Sequence, residues 1–408
     1  MIRIRNLDDL LKNDLIGKTV QIRADLNLPI NNGKILDKKR LHSIARTVKE
    51  LQKTQCKISI LSHFGRPQGK FVKKMSIKPI IPEIEKTLKT KIIFSKSCIG
   101  NDAENSIKKT QNGCVAVMEN TRFHRGEENN FNYFAKEISK YSDYFVNDAF
   151  SVAHRSHASV TGLTKYLPSF AGRSFEEEVL TIDKFLGSKN KRKLAIIGGS
   201  KISTKISLIN NLIKKVNSIV IGGAMANTFL SAQGKEIGKS LHEKSMLKMA
   251  RGIMRNAIEK NCKILLPVDA VVASNLKKGG KFFEYNVDNI PNDGLILDIG
   301  KNTIKIIDKE ISRTKEVLWC GPLGLFEQSP FHVGTASIAK TLSKLTKSGK
   351  ILSVAGGGDT VAAISQSQYI NDFTYISTAG GAFLEMIAGQ KLPGIEVLKK
   401  INEDKRIR

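Results

Sequence analysis

The stretch KLAIIGGSKISTKISLINNLI, Lys193 to Ile213, decides the reading of this chain. It opens on an apolar run, Leu194 to Ile197, breaks at Gly198-Gly199, and resumes with apolar residues at helical spacing. Ile202, Ile206, Ile209, Ile213 and Val216 recur at intervals of four and three, which puts them on one buried helical face. Lys201 and Lys205 are expected beside that face, at the start of the helix. Glycines let backbone N–H groups approach an anion, a helix N-terminus favours negative charge, and two ammonium groups reach the same spot. This is the chemistry of a nucleotide phosphate site.

Working outward, both halves of the chain repeat a strand, a polar or glycine-rich loop and a helical pattern. That alternation argues for parallel sheets covered by helices, which bind ligands at the carboxyl ends of their strands. A chain of 408 residues exceeds what one core usually serves, so two domains are expected. The amphipathic run Phe175 to Leu186, closed by Gly187 and the polar segment to Lys193, marks the boundary. The expected division is a first domain over 1–173, an interdomain helix and hinge over 174–190 and a second domain over 191–390. A tail over 391–408 is expected to return towards the hinge and the first domain.

Residues after the strands differ between the halves. In the first, Val20–Arg23 runs into Asp25 and Asn27, Lys57–Leu61 into His63 and Arg66, Val115–Met118 into Arg122, and Tyr144–Val146 into a segment holding Arg155. Arg40 stands at a helix start. Any one of these arginines alone is best read as a surface ion pair, but several at successive strand ends can converge. Their guanidinium forks match phosphate or carboxylate oxygens, and Asp25 and Asn27 suit a hydroxyl. His124 and His157 are read as packing or orienting groups. In the second half the strands end in glycine: Gly198-Gly199, Gly222-Gly223, Gly321-Pro322-Leu323-Gly324, Gly356-Gly357-Gly358 and Gly380-Gly381. Gly357 and Gly358 open a helix at Asp359 and Thr360. Asp359 offers a hard oxygen for Mg²⁺ as well as a possible helix cap, and Glu327 suits ribose hydroxyls.

Composition excludes several classes. A 41% apolar and 25% charged content is ordinary for a globular chain, and no apolar run reaches membrane-spanning length. Acidic residues appear early in MIRIRNLDDLLKNDL, which argues against a targeting segment and for a cytoplasmic protein. Five cysteines without metal spacing argue against both a disulfide framework and a zinc site. The net charge of +28 is spread along the chain, so it reads as a lysine-rich surface rather than a specific nucleic-acid interface. Neither G-x-x-x-x-G-K-[ST] nor G-x-G-x-x-G occurs, which weighs against a P-loop NTPase and a nicotinamide-dependent dehydrogenase.

The motifs RADLNLP, SHFGRP, ENTRFHRGEE, VNDAFSVAHRSHAS, GGSKISTK, GGAMANTF, WCGPLGLFE, GGGDT and STAGGAFLE stand in the order found in phosphoglycerate kinases, and the chain resembles that family over its whole length. The resemblance implies two doubly wound parallel-sheet domains facing each other across a cleft, joined by a hinge helix. It implies reversible phosphoryl transfer between 1,3-bisphosphoglycerate and ADP, giving 3-phosphoglycerate and ATP, with Mg²⁺, in a monomer that closes on its substrates. It places Asp25, Asn27, Arg40, His63, Arg66, Arg122 and Arg155 on the glycerate-phosphate side, in the first domain. It places Lys205, Glu327, Gly357, Gly358, Asp359 and Thr360 on the nucleotide side, in the second. Arg40, Lys201, Gly357 and Gly380 are implied at the transferring group. The chain departs from the family's pattern at Cys320, where asparagine is usual, at Ala379, where glycine is usual, and in AGRSFEEEV, which is usually more apolar. Cys320 is the one motive for a slow, degenerate kinase.

Overall fold

The computed structural model describes residues 2–31, 34–190, 192–276 and 280–400. Residue 191, where the second domain is expected to begin, and residues 401–408 of the expected tail lie outside the described residues. The chain forms two compact units. The first ends at Asp183 and takes the chain back from Lys391, and the second is Lys184–Gln390.

In the first unit the strands are β1 (Thr19–Arg23), a short antiparallel ribbon of β2 (Ile30–Asn31) and β3 (Lys34–Ile35), β4 (Lys57–Leu61), β5 (Ile92–Ser95), β6 (Val115–Met118), β7 (Tyr144–Asn147) and β8 (Ser169–Ala171). Six of them make a parallel sheet in the order β5-β6-β4-β1-β7-β8. Strands buried on both faces carry continuous rather than alternating apolar residues, and β1 is buried along its whole length. Val115 and Val117 of β6 join one core with the helices Lys39–Lys53 and Ile81–Leu88. Ala116 and Met118 join the other with Gly100–Lys109 and Asn132–Ser139.

The second unit contains β9 (Lys193–Ile197), β10 (Ser218–Ile221), β11 (Lys263–Leu265), β12 (Asp269–Ala273), β13 (Phe282–Asn286), β14 (Leu295–Ile299), β15 (Glu316–Cys320), β16 (Leu352–Gly356) and β17 (Tyr375–Ser377). A six-stranded parallel sheet runs β11-β10-β9-β15-β16-β17, and an antiparallel sheet runs β13-β12-β14. Renumbered within itself, the larger sheet has the order 3-2-1-4-5-6, whose direction reverses between β9 and β15. Ligands of open parallel sheets bind beyond the strand ends at such a reversal. The first sheet has its own reversal between β1 and β7.

The boundary between the units falls inside the helix Arg173–Gly187. Its first turn is fastened within the first unit. Arg173 pairs with Asp8 at 2.6 Å, Glu50 at 2.6 Å and Glu176 at 3.6 Å, and Phe175 N–H donates to Asp148 at 2.9 Å. The departure at AGRSFEEEV is thus an ion-pair network rather than a loss of packing. Beyond the boundary, the buried Lys193 ammonium donates to the Phe185 carbonyl at 2.6 Å, and Ser188 donates to Glu316 at 2.7 Å. The chain after Lys391 joins the first unit: Gly394 N–H donates to the Ala153 carbonyl and Arg5 N–H to that of Leu398, each at 2.8 Å.

Trp319 sits at the centre of the second unit, fully buried, with its indole N–H donated to the Gly321 carbonyl at 2.8 Å. Trp319→Phe leaves a void and an unpaired carbonyl. The expected loss is about 2–4 kcal/mol of this unit's stability, read by calorimetry or circular dichroism, and a loss below about 1 kcal/mol contradicts the assigned packing.

Candidate functional site

In the first unit, the loops after β1, β4 and β6 are tied together by the residues that the sequence singles out. Arg40, on the first turn of Lys39–Lys53, donates to the Asn27 carbonyl at 2.9 Å and pairs with Asp25 at 3.2 Å. Asn27 Oδ1 accepts from Gly65 N–H at 2.9 Å, and Arg122 donates to the Gly65 carbonyl at 2.9 Å. Ser151, in the turn after β7, donates to Asp25 at 2.5 Å across the sheet's reversal point. His63 is buried on the same loop as Gly65, whereas Arg66 is exposed. Arg155 lies near enough to Arg122 and His157 to depress the proton affinity of both.

Positive charge is concentrated here with Asp25, Glu127 and Glu128 set among it, and the histidines respond. Burial first, then Arg23, Arg122 and Arg40, hold His63 well below the ordinary imidazole range. Burial and then Arg122, Arg23 and Arg155 push His157 down to about 3. His157 lies 3.9 Å from Glu127, and His124 stacks against Phe134 with ring centres 5.2 Å apart. A cluster that keeps its arginines charged and its histidines neutral fits a dianionic ligand.

In the second unit the organising loops are those after β9 and β15. Gly198 N–H donates to the Cys320 carbonyl at 3.0 Å, and Gly199 N–H to that of Pro322 at 3.1 Å. A side chain at Gly198 would overlap the Pro322 carbonyl, so only glycine permits this approach. Lys205 locks the pair, its ammonium donating to the Gly198 carbonyl at 2.5 Å and the Cys320 carbonyl at 3.3 Å. Burial pulls the Lys205 ammonium below its ordinary value, against the raising influence of Cys320 and Asp359.

The helix expected from about Ser200 begins only at Ile206 and ends at Ile213. Ser203 gives its N–H and hydroxyl to Glu243, and the Thr204 hydroxyl donates to the Lys201 carbonyl. These bonds, only the last of them local, hold the segment outside the helix. Lys205 is therefore the residue before the helix and Lys201 an exposed residue of the loop. The buried helical face is carried by Leu208, Ile209, Leu212 and Ile213, and Ile206 is only half-buried.

Gly357, at φ 98°, precedes the helix Gly358–Gln366, and Gly380 precedes Gly381–Ile387. Asp359 stands in the first turn of its helix, but the capping position belongs to Gly357. Thr360 accepts the Gly321 N–H at 2.6 Å, which joins this turn to the β15 loop. Ala379 has no left-handed backbone, so the missing glycine costs nothing there. A cavity of about 350 Å³ opens beside these loops, with Gly199, Gly223, Pro322, Glu327 and Asp359 at its polar end. Leu230, Leu241, Leu276, Leu295 and Phe326 supply part of its apolar wall. That wall, Ser151 and Arg23 escaped the sequence reading. Arg23 alone left a signal, as the charge that ends the strand TVQIR.

An arginine–histidine cluster on one parallel sheet and a cavity beside the glycine loops of another suit a two-unit α/β phosphotransferase. Comparison with known proteins agrees. The phosphoglycerate kinase family profile matches residues 7–390. Curated phosphoglycerate kinases from Rhizobium meliloti and Bradyrhizobium diazoefficiens are 46% and 47% identical over 98% and 97% of this chain and 99% of each relative. The solved phosphoglycerate kinase from Coxiella burnetii superposes with a TM-score of 0.87 at 36% identity, covering 99% of this chain and all of that one. That from Pyrococcus horikoshii gives 0.81 at 27% identity, covering 97% and 98%. The chain belongs to the phosphoglycerate kinase family. It is a glycolytic kinase that transfers phosphate to a carboxyl group.

Asp298 forms part of the cavity lining. It accepts N–H bonds from Gly334 at 2.7 Å and Ile299 at 2.9 Å, yet burial outweighs these and pushes its carboxyl up to about 7. The folded chain therefore binds this proton more tightly than the unfolded chain, whose carboxyl titrates near ~4. Stability from Asp298 falls as pH rises from ~4 to ~7 and is level above that. Measured by denaturant unfolding, the stability of the wild type relative to Asp298→Asn is expected to decline across that window. A difference that stays flat or rises contradicts the placement.

Proposed function

We propose that the first unit holds 1,3-bisphosphoglycerate or 3-phosphoglycerate, the second holds ADP or ATP, and in-line phosphoryl transfer follows closure about the helix Arg173–Gly187. The observation that carries this reading is the Lys205 bridge, which joins the glycine loops after β9 and β15 beside the cavity. In the first unit Arg66, Arg122, Arg155 and His63 bind the distal phosphate. Arg40 faces the carboxyl end, and Asp25 and Asn27 take the hydroxyl. In the second, Lys205 and the turn Gly357–Thr360 meet the nucleotide phosphates while Glu327 receives the ribose.

Phosphoryl transfer needs little covalent help from a protein. It needs in-line positioning and positive charge where the equatorial oxygens gather negative charge. Arg40 and Lys201 supply that charge to the moving group, and Gly357 and Gly380 present backbone N–H donors. The acceptor oxygen in the ADP direction is already ionised, so a general base has no task. Closure excludes water that would hydrolyse the acyl phosphate.

Asp359 fits a Mg²⁺ ion carried by the nucleotide, since it is an exposed carboxylate among the cavity-lining residues. Among the described residues there is no group of three or more candidate metal ligands, and Mg²⁺ characteristically combines one or two carboxylates with substrate phosphates and water. Bound there, the ion neutralises phosphate charge. Among the described residues no helix is long and apolar enough to cross a membrane. Small-molecule substrates and a cytoplasmic monomer complete the reading.

The test is a coupled assay for ATP formed from 1,3-bisphosphoglycerate and ADP, and no ATP above the enzyme-free rate overturns the proposal. Lys201→Ala is expected to lower kcat at least ~100-fold, about 2.7 kcal/mol of transition-state stabilisation, with ADP affinity changed less than ~2-fold. Turnover near the wild-type rate removes Lys201 from the mechanism. Cys320 is buried with its thiol pushed up to about 12 by burial, and its carbonyl accepts from Lys205. Cys320→Asn is expected to keep or improve ADP affinity in calorimetry; a marked loss gives Cys320 a role of its own.

A further inference from the structure

Beneath the basic cluster lies a charge that the proposed substrate contacts leave unused. Arg23, the last residue of β1, is fully buried. Its Nε donates to Ser159 Oγ at 2.8 Å and its Nη1 to the Ala24 carbonyl at 2.5 Å. Ser159 in turn donates its hydroxyl and N–H to the two oxygens of buried Glu127, at 2.5 and 3.0 Å. The guanidinium is thereby fixed in plane and direction. Its remaining nitrogen, Nη2, lies 3.1 Å from His63 Nδ1.

A guanidinium donates and does not accept. The 3.1 Å contact is therefore an N–H from Arg23 onto the Nδ1 lone pair, which neither the imidazolium nor the Nδ1–H tautomer possesses. We infer that Arg23 is a positioning residue that holds His63 as the neutral Nε2–H tautomer, so that the site offers its anion one fixed N–H donor instead of a titrating cation. The functional half of this inference rests on the proposed contact between His63 and the substrate phosphate.

The surroundings of His63 act in the same direction. Arg23 comes from β1, Arg40 from Lys39–Lys53, Arg122 from the turn after β6, and His157 from the segment after β7; all four oppose a proton on His63. The nearby carboxylates Asp25 and Glu127 act on Arg23, raising its proton affinity against burial. The arginines thus supply charge, and the histidine supplies direction.

Nitrogen-15 NMR of the imidazoles in the full chain tests this directly, with His63 assigned by comparison with His63→Gln. The expected signal is the Nε2–H tautomer, unmoved between pH 8 and pH 5.5. An Nδ1–H pattern, or a titration midpoint above ~6, overturns the inference. Arg23→Gln keeps an N–H donor without the charge. It is expected to retain the tautomer while His63 titrates at higher pH than in the wild type, and loss of the tautomer contradicts this. Arg23→Met removes the donor, so the tautomers mix and KM for 3-phosphoglycerate rises about tenfold with KM for ATP unchanged. Should the Met variant not fold, the wild-type and Gln spectra decide. An unchanged 3-phosphoglycerate KM in His63→Gln cancels the substrate contact, whereas a wrong tautomer cancels the role of Arg23, so the two failures are distinguishable.

Discussion

One ammonium group fastens the reversal point of the second sheet. Lys205 reaches back to the carbonyls at the ends of β9 and β15, the two strands between which the sheet changes direction. Without it, the two glycine loops would lose the bonds by which one ammonium fixes their spacing. With it, the Gly198 and Cys320 carbonyls turn inward to the lysine, and the N–H groups of Gly198 and Gly199 pair with the β15 loop. Thr360 extends the same frame to the turn after β16. The cavity beside this frame is preorganised, which lowers the ordering cost of binding.

The first unit solves a different problem by related means. Its strand-end loops concentrate arginines, and like charges repel unless something spaces them. Asp25 does this for Arg40, Glu128 for Arg122 at 3.3 Å, and Glu127 with Ser159 for Arg23. The strand-end loops are linked through the Gly65 backbone as well: its carbonyl accepts from Arg122 and its N–H donates to Asn27 Oδ1. Each of these cations is held by partners of its own, and Arg23 is fully buried among them. The buried histidines remain neutral, so they add donors without adding to the repulsion.

Much of this was legible because parallel sheets place function at strand ends. Reading the residues after Val20–Arg23, Lys57–Leu61 and Val115–Met118 found Asp25, Asn27, His63 and Arg122, which the structure ties into one cluster. The glycine-terminated strands of the second half were equally plain, as was the helix opening at Gly358. What sequence could not give depends on contacts distant along the chain. The apolar wall draws on Leu230, Leu241, Leu276 and Leu295, none of which differs locally from a core leucine. The late start of the helix at Ile206 follows from Glu243, forty residues beyond Ser203. Arg173 looked like a fault in an apolar segment and is instead paired with Asp8, Glu50 and Glu176. Arg23 owes its setting to His63, forty positions away.

The central claim is that Lys205 builds the nucleotide site and that this site is separate from the arginine cluster. Titration calorimetry of Lys205→Met with Mg·ADP and, separately, with 3-phosphoglycerate tests it most directly. The account predicts at least ~10-fold weaker ADP binding, about 1.4 kcal/mol, with 3-phosphoglycerate affinity unchanged. Unchanged ADP affinity in a folded variant, or equal loss of both ligands, would contradict it.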